Sequence, residues 1–185
     1  MPRDAEATRT RLVEAAIKEF AEFGIAGGRV DRIALQAEAN KAQIYHYFGS
    51  KDQLFDAAFD AIVGKVLAET PIDVHDLPGY AAKLAVLYEN HPEILRMATW
   101  QRLERPADAA NPVAAASTRD KIEAIRAAQE AGDLPGHYPP EILLALVLNI
   151  AATWASAGPE LLVALPRSDR NEHVADAVRR LLRIR

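Results

Sequence analysis

The chain has 185 residues, half of them hydrophobic and about a quarter charged, a soluble globular composition long enough for one sizeable core or two small ones. It contains no cysteine, which excludes a disulfide framework, thiolate catalysis and thiolate metal sites and fits a reducing cytoplasm. The formal net charge of −4 argues, as a sum, against a nucleic-acid partner. No apolar stretch follows the charged N-terminus, so no secretory signal is expected. The most apolar stretch, Ile142 to Ala157, is interrupted by Asn149 and Thr153 and falls short of the ~20 residues a membrane span needs. A cytoplasmic protein without a membrane segment is expected.

Helical periodicity runs through nearly the whole chain. From about Glu6 to Phe23, apolar residues recur at Leu12, Ala15, Ala16, Phe20 and Phe23, the spacing of one buried helix face. Gly24 ends this helix, and Gly27-Gly28 marks the next turn. A short second helix spans Val30 to Ala37, with Asp31 favourably placed in its first turn. After Glu38-Ala39-Asn40, a third helix runs from Lys41 to Phe48, with Asn40 as its N-cap and Gly49 as its stop. Ser50-Lys51-Asp52-Gln53 has the capping-box pattern that opens a fourth helix through about Leu67. Pro71 and Pro78-Gly79 bound the next loop. Further helices are expected at about 79–90, 92–104, 112–131, 140–157 and 170–183, separated by breaks at Arg105-Pro106, Gly132 to Gly136, Pro139-Pro140, Gly158-Pro159 and Pro166. No repeat, low-complexity tract or alternating apolar pattern is present. The fold class is all-α: a three-helix head, a connecting helix and a larger helical body of about nine helices in total.

The head carries the chemistry. Ile33, Ala34, Ile44 and Phe48 are expected to pack the second and third helices against Leu12, Ala16 and Phe20. The residues left outside suit DNA: Gln43 can hydrogen-bond a base edge, Lys41 can reach phosphate or guanine, and Tyr45 and Tyr47 offer hydroxyls to phosphates. His46 can do either. Lys51 stands at the start of the fourth helix, beside free backbone N–H groups that favour a phosphate. Three adjacent rings splay by ~100° each on a helix, so the alternative is that one of Tyr45, His46 and Tyr47 caps the small core. Charge balance weakens the objection to DNA. Residues 1–55 hold eight Lys or Arg against eight Asp or Glu, whereas the remaining 130 hold 14 against 18.

Taken together, Ile33-Ala34, then Lys41-Ala42-Gln43-Ile44-Tyr45-His46-Tyr47-Phe48, then Ser50-Lys51-Asp52-Gln53-Leu54 resemble the N-terminal signature of the TetR-type transcriptional repressors. The resemblance covers about residues 8 to 60. It implies DNA contacts at Lys41, Ala42 (through its backbone), Gln43, Tyr45, His46, Tyr47 and Lys51. Two departures stand out. Glu38 occupies a turn position where the family often has Gly, so the left-handed geometry there is in question. Gly28-Arg29 replaces the family's frequent Thr or Ser before the second helix, which removes a capping hydroxyl, and Arg29 is expected to supply the phosphate contact instead.

The resemblance further implies a C-terminal domain that binds a small molecule and dimerises through its last two long helices. The division expected is 1–55, a helix-turn-helix DNA-binding domain, and 56–185, a ligand-binding and dimerisation domain. Helices 140–157 and 170–183 are then the homodimer candidates. The first is apolar nearly all round, so a partner subunit or, alternatively, the chain's own core covers its second side. The second shows Val174, Ala177, Val178, Leu181 and Leu182 as a stripe, with Arg179, Arg180, Arg183 and Arg185 outside. Polar and aromatic residues among apolar helices mark effector contacts: Tyr88, His91, Met97, Trp100, Gln101, Ile122, Ile125, Arg126, Asn149, Thr153 and Trp154, each of which also has a plain core or surface reading.

Enzymatic readings fare poorly: the five histidines are scattered, no metal-ligand spacing occurs, and no Gly-rich phosphate loop follows a strand. No catalytic residue, metal or cofactor is expected. The leading expectation is a ligand-responsive regulator, most simply a repressor, that binds a palindromic double-stranded operator as a homodimer and is released by a small-molecule effector. The 50–67 helix is the only covalent link expected between pocket and head, hence the lever. The competing readings are a helical small-molecule binder or enzyme whose head has lost DNA binding, and a helical scaffold.

Overall fold

The computed structural model describes residues 2–106, 109–164 and 169–183; the expected break at Pro166 and the outward Arg185 lie outside them. The helices are α1 (Pro2–Gly27), α2 (Val30–Gln36), α3 (Lys41–Phe48), α4 (Lys51–Glu69), α5 (Leu77–Asn90), α6 (Glu93–Glu104), α7 (Pro112–Ala131), α8 (Pro140–Ala151), α9 (Pro159–Ala164) and α10 (Arg170–Leu181), with a 3₁₀ turn at Val74–Asp76 before α5. No strand occurs among the described residues.

The chain forms two compact units. One comprises residues 1–65 and 93–113, the other 66–92 and 114–185. The polypeptide therefore crosses between them three times, after Lys65, before Glu93 and after Val113, and α4 is not the only covalent link. α6 belongs with the head, which the division at residue 55 did not foresee.

In the first unit, Leu12, Ala16, Phe20, Ile33, Ala34, Ile44 and Phe48 are all buried, as their spacing requires. Leu54, Phe55, Ala58 and Met97 join them, and Phe20 meets Phe55 edge-to-face at 5.3 Å. Phe23 departs from the expected stripe: it is 39% exposed because the Arg32 guanidinium lies over its ring at 4.1 Å and offers a cation–π contact at the surface. Glu19 falls on the same apolar stripe and is buried.

The turn between α2 and α3 answers the question raised by Glu38, which adopts φ 51°, the left-handed region, without being Gly. The turn is held by Ala37 N–H on Ile33 O at 3.0 Å and Ala39 N–H on Ala34 O at 2.9 Å. A Cβ in this region costs roughly 1–2 kcal/mol, part of which Gly returns as unfolded-state entropy. Glu38→Gly is therefore expected to raise stability by about 1 kcal/mol, visible as a higher urea midpoint at unchanged slope. A lower midpoint would contradict the assigned turn.

In the second unit α5 packs on α8 and α10, which also touch each other. Leu77, Tyr80, Ala81, Leu84, Leu143, Leu144, Val147, Val174 and Val178 are buried there. α8 ends at Ala151, short of the expected 157. Past it, the Asn149 side chain donates to Ala145 O at 2.8 Å and the Thr153 hydroxyl to Asn149 O at 3.3 Å, side-chain competition of the kind that weakens a helix. A short α9 at Pro159–Ala164 follows, which periodicity did not indicate. On α10, Val174 and Val178 are buried but Ala177 is exposed, so the stripe is divided between core and surface.

Candidate functional site

The recognition element is built by local capping. Asn40 accepts the Gln43 N–H at 2.9 Å while Gln43 Oε1 accepts the Asn40 N–H at 2.9 Å, a reciprocal capping box. Gly49, at φ 78°, closes α3. With Ile44 and Phe48 buried beneath, Lys41, Ala42, Tyr45 and His46 are exposed on the outer face. Tyr47 is half-buried and meets His46 at 5.3 Å and Phe48 at 6.3 Å, so it is the ring of the three that leans toward the core. Gln43 is also half-buried; its amide oxygen serves the cap, and its NH₂ group remains for a base.

Two of the candidate cations are engaged within the protein. Lys41 pairs with Asp31 at 3.1 Å, a surface pair of small energetic worth. Lys51 Nζ donates to Ala26 O and Gly28 O, both at 3.3 Å, and so pins the α1–α2 turn as well as standing beside the N-terminus of α4. There Ser50 Oγ accepts the Gln53 N–H at 3.1 Å, the forward half of the expected box.

The missing hydroxyl before α2 is replaced from α1. Glu19 Oε1 accepts the Arg29 backbone N–H at 2.8 Å and the Arg32 Nη2–H at 2.6 Å, and Arg32 Nε lies 2.8 Å from Oε1 and 3.0 Å from Oε2. This holds the Arg32 guanidinium more firmly protonated, chiefly through its hydrogen bond to Glu19. Arg29, relieved of capping by side chain, is exposed. Sequence reasoning missed Glu19; the signal was an acidic residue on an apolar stripe. It also missed Arg9, whose guanidinium lies 5.3 Å from the Phe48 ring at the end of α3.

A second construction ties α6 to the head. Gly24 (φ 73°, ψ −177°) breaks α1 and leaves backbone groups on either side without helical partners. On α6, Arg96 Nε donates to Ala21 O at 2.6 Å and Trp100 Nε1 to the same oxygen at 3.2 Å, while Glu104 Oε2 accepts Ile25 N–H at 2.6 Å and Ala26 N–H at 2.8 Å. These three side chains recur every fourth residue on one face. Arg105 extends the fastening to α4, through Asp56 at 3.0 Å and Asp52 at 3.4 Å; burial raises the Asp56 carboxyl pKa against the opposing pull of Arg105.

The eleven effector candidates do not converge. Met97, Trp100 and Gln101 lie in the first unit, the other eight in the second. Met97 is fully buried, Trp100 belongs to the α1 clamp, and Gln101 donates to Ala109 O at 3.1 Å. In the second unit Ile125 and Tyr88 are buried, and His91 and Ile122 half-buried. Arg126 takes its solvated-face reading, pairing with Glu123 at 3.3 Å, while Asn149 and Thr153 are exposed and bond their own helix. Tyr80, not foreseen, is 1% exposed with no hydrogen-bond partner for its hydroxyl; burial and neighbouring Tyr88 raise its pKa. Only Trp154 lines the cavity of about 370 Å³ in this unit, with Glu89, Asn90, Leu162 and Arg170.

Residues 12–58 match the profile of bacterial regulatory proteins of the tetR family, and residues 76–180 that of the tetracyclin repressor-like C-terminal domain. The HTH-type transcriptional repressor SCO4008 of Streptomyces coelicolor is 38% identical over 164 residues, covering 86% of this chain and 83% of that one. The chain belongs to the TetR family. It is a DNA-binding transcriptional regulator, not an enzyme. The repressor NicS of Pseudomonas putida is 27% identical over 77% of this chain and 71% of its own. The crystal structure of the S. coelicolor transcriptional regulator SCO4942 superposes with a TM-score of 0.83 at 36% identity, covering 94% of this chain and 97% of that one. NalD of Pseudomonas aeruginosa shares the fold, with a TM-score of 0.65 at 20% identity over 96% of each chain.

Proposed function

We propose that this TetR-family protein is a repressor that binds a palindromic operator as a homodimer and releases it when a small molecule occupies the 56–185 domain. The observation that carries the DNA half is the capped α3, with Lys41, Ala42, Tyr45 and His46 exposed above a buried Ile44 and Phe48. Residues 1–55 form the DNA-binding domain. Lys41, Ala42, Gln43, Tyr45, His46, Tyr47, Lys51 and Arg29 are its contacts, and two copies of α3 enter major grooves ~34 Å apart. Repression is the activity named for SCO4008 and NicS.

Dimerisation is supported by an uncovered stripe on α8, Ile142, Ala145 and Asn149, and one on α10, His173, Ala177 and Arg180, all exposed in the single chain. Ile142 is 46% exposed. No helix among the described residues is long and apolar enough to cross a membrane, and DNA as partner places the protein in the cytoplasm. The effector acts by preferring one arrangement of the heads by ~1–3 kcal/mol, enough for a 5–150-fold change in DNA affinity. Because α6 is fastened to α1 and α4, both α4 and α6 carry the signal.

Footprinting on promoter DNA is expected to show two protected half-sites about one helical turn apart, with affinity falling linearly in log salt. Absence of salt-dependent binding to any specific duplex would remove the DNA half of the proposal. Failure of every small molecule to change operator affinity would remove the sensor half.

A further inference from the structure

We infer that the cavity lined by Glu89, Asn90, Trp154, Leu162 and Arg170 binds a small zwitterion of the amino-acid type, its carboxylate on Arg170, its ammonium on Glu89 and its side chain over the Trp154 indole. The inference rests on the reading that the 56–185 domain binds a small-molecule effector, and it names the effector's class. The cavity, about 370 Å³, falls at the small end of ligand sites.

Its walls are held in place. Trp154 Nε1 donates to the Arg170 backbone oxygen at 3.0 Å, the Arg170 guanidinium lies 5.9 Å from the Trp154 ring, and Arg170 Nη2 reaches Leu162 O at 3.4 Å. The Arg170 side chain is only 12% exposed, while that of Glu89 is 36% exposed, and their charged atoms stand 4.0 Å apart. A closed charge-assisted bridge would bring them to about 2.7–2.9 Å. Two opposite charges thus face one cavity without closing on each other.

That pairing selects the ligand class. A simple anion drawn to Arg170 meets the Glu89 carboxylate, a simple cation drawn to Glu89 meets the guanidinium, and a neutral apolar ligand buries both without compensation. A molecule carrying carboxylate and ammonium on one carbon satisfies both walls, while the Asn90 amide offers a donor and an acceptor beside them.

The full-length protein is screened with the twenty standard amino acids by thermal shift. The best binder is then compared by calorimetry with its deamino and decarboxy analogues. An amino acid is expected to bind, loss of either charged group to weaken binding at least about tenfold, and Glu89→Gln and Arg170→Met each to do the same. Glu89→Gln is nearly isosteric at a half-exposed position, so it decides the matter if Arg170→Met does not fold. Absence of binding by every amino acid, equal binding of the single-charge analogues, or binding indifferent to Glu89→Gln overturns the assignment. Binding without operator release keeps the site but removes its effector role. Operator release by another compound, with no amino acid bound, keeps the effector reading and removes this site.

Discussion

Gln43→Glu is expected to weaken operator binding roughly a thousandfold while leaving the folded head as stable as before. Gln43 serves two ends. Its amide oxygen completes the α3 capping box with Asn40, and its NH₂ group is the part left to donate to a base acceptor such as purine N7, guanine O6 or thymine O4. A glutamate oxygen accepts the same Asn40 N–H, and its charge suits a helix N-terminus. The donors are lost, however, and a negative charge faces the DNA. One base contact contributes ~1–3 kcal/mol of discrimination. About 2 kcal/mol lost in each of two half-sites amounts to roughly a thousandfold. Anisotropy titration at fixed salt, with a urea melt of the same preparation, separates the two effects, which Gln43→Ala would confound. Operator affinity within about threefold of the original would show that Gln43 reads no base.

Gly24→Ala is expected to destabilise the first unit by about 3 kcal/mol, the largest effect on stability anticipated for a single added methyl group. At φ 73° and ψ −177° the backbone is in a region essentially reserved for glycine, where other residues cost of order 1–3 kcal/mol. The new Cβ would also stand 2.7 Å from Glu104 Oε1 and 2.9 Å from Trp100 Cε3. Overpacking of this kind adds ~1–3 kcal/mol, and it falls on the residues that cap the broken α1. Urea denaturation followed by helical circular dichroism would show the lower midpoint. An unchanged midpoint would mean that α1 runs straight through position 24 in solution.

Legibility follows the reach of each interaction. Asn40, Gly49, Ser50 and Pro112 were readable because a cap acts within one turn of its own helix, and the Leu12–Phe20 stripe because a buried face repeats at the helical period. The end of α8 was not readable. Its apolar run continues to Ala157, and only the conformations of Asn149 and Thr153 show side chains turned back on helix carbonyls. Glu19 and Trp100 looked like a surface acid and a pocket ring. Each instead satisfies backbone atoms of another segment, Glu19 across 10 residues and Trp100 across 79.

The residues alone determined that the chain is helical, that residues 41–48 present polar groups above an apolar underside, and that the partner is DNA, since these properties depend on neighbours within a few positions. The tertiary structure decided which polar groups remain available. It assigned the Gln43 oxygen to a cap, Lys51 to the α1–α2 turn and Arg96, Trp100 and Glu104 to the break at Gly24, and it set Glu89 and Arg170 across one cavity. Orphaned backbone groups and buried charges take whatever partner the fold brings near, and that partner is set by packing between segments far apart in the chain.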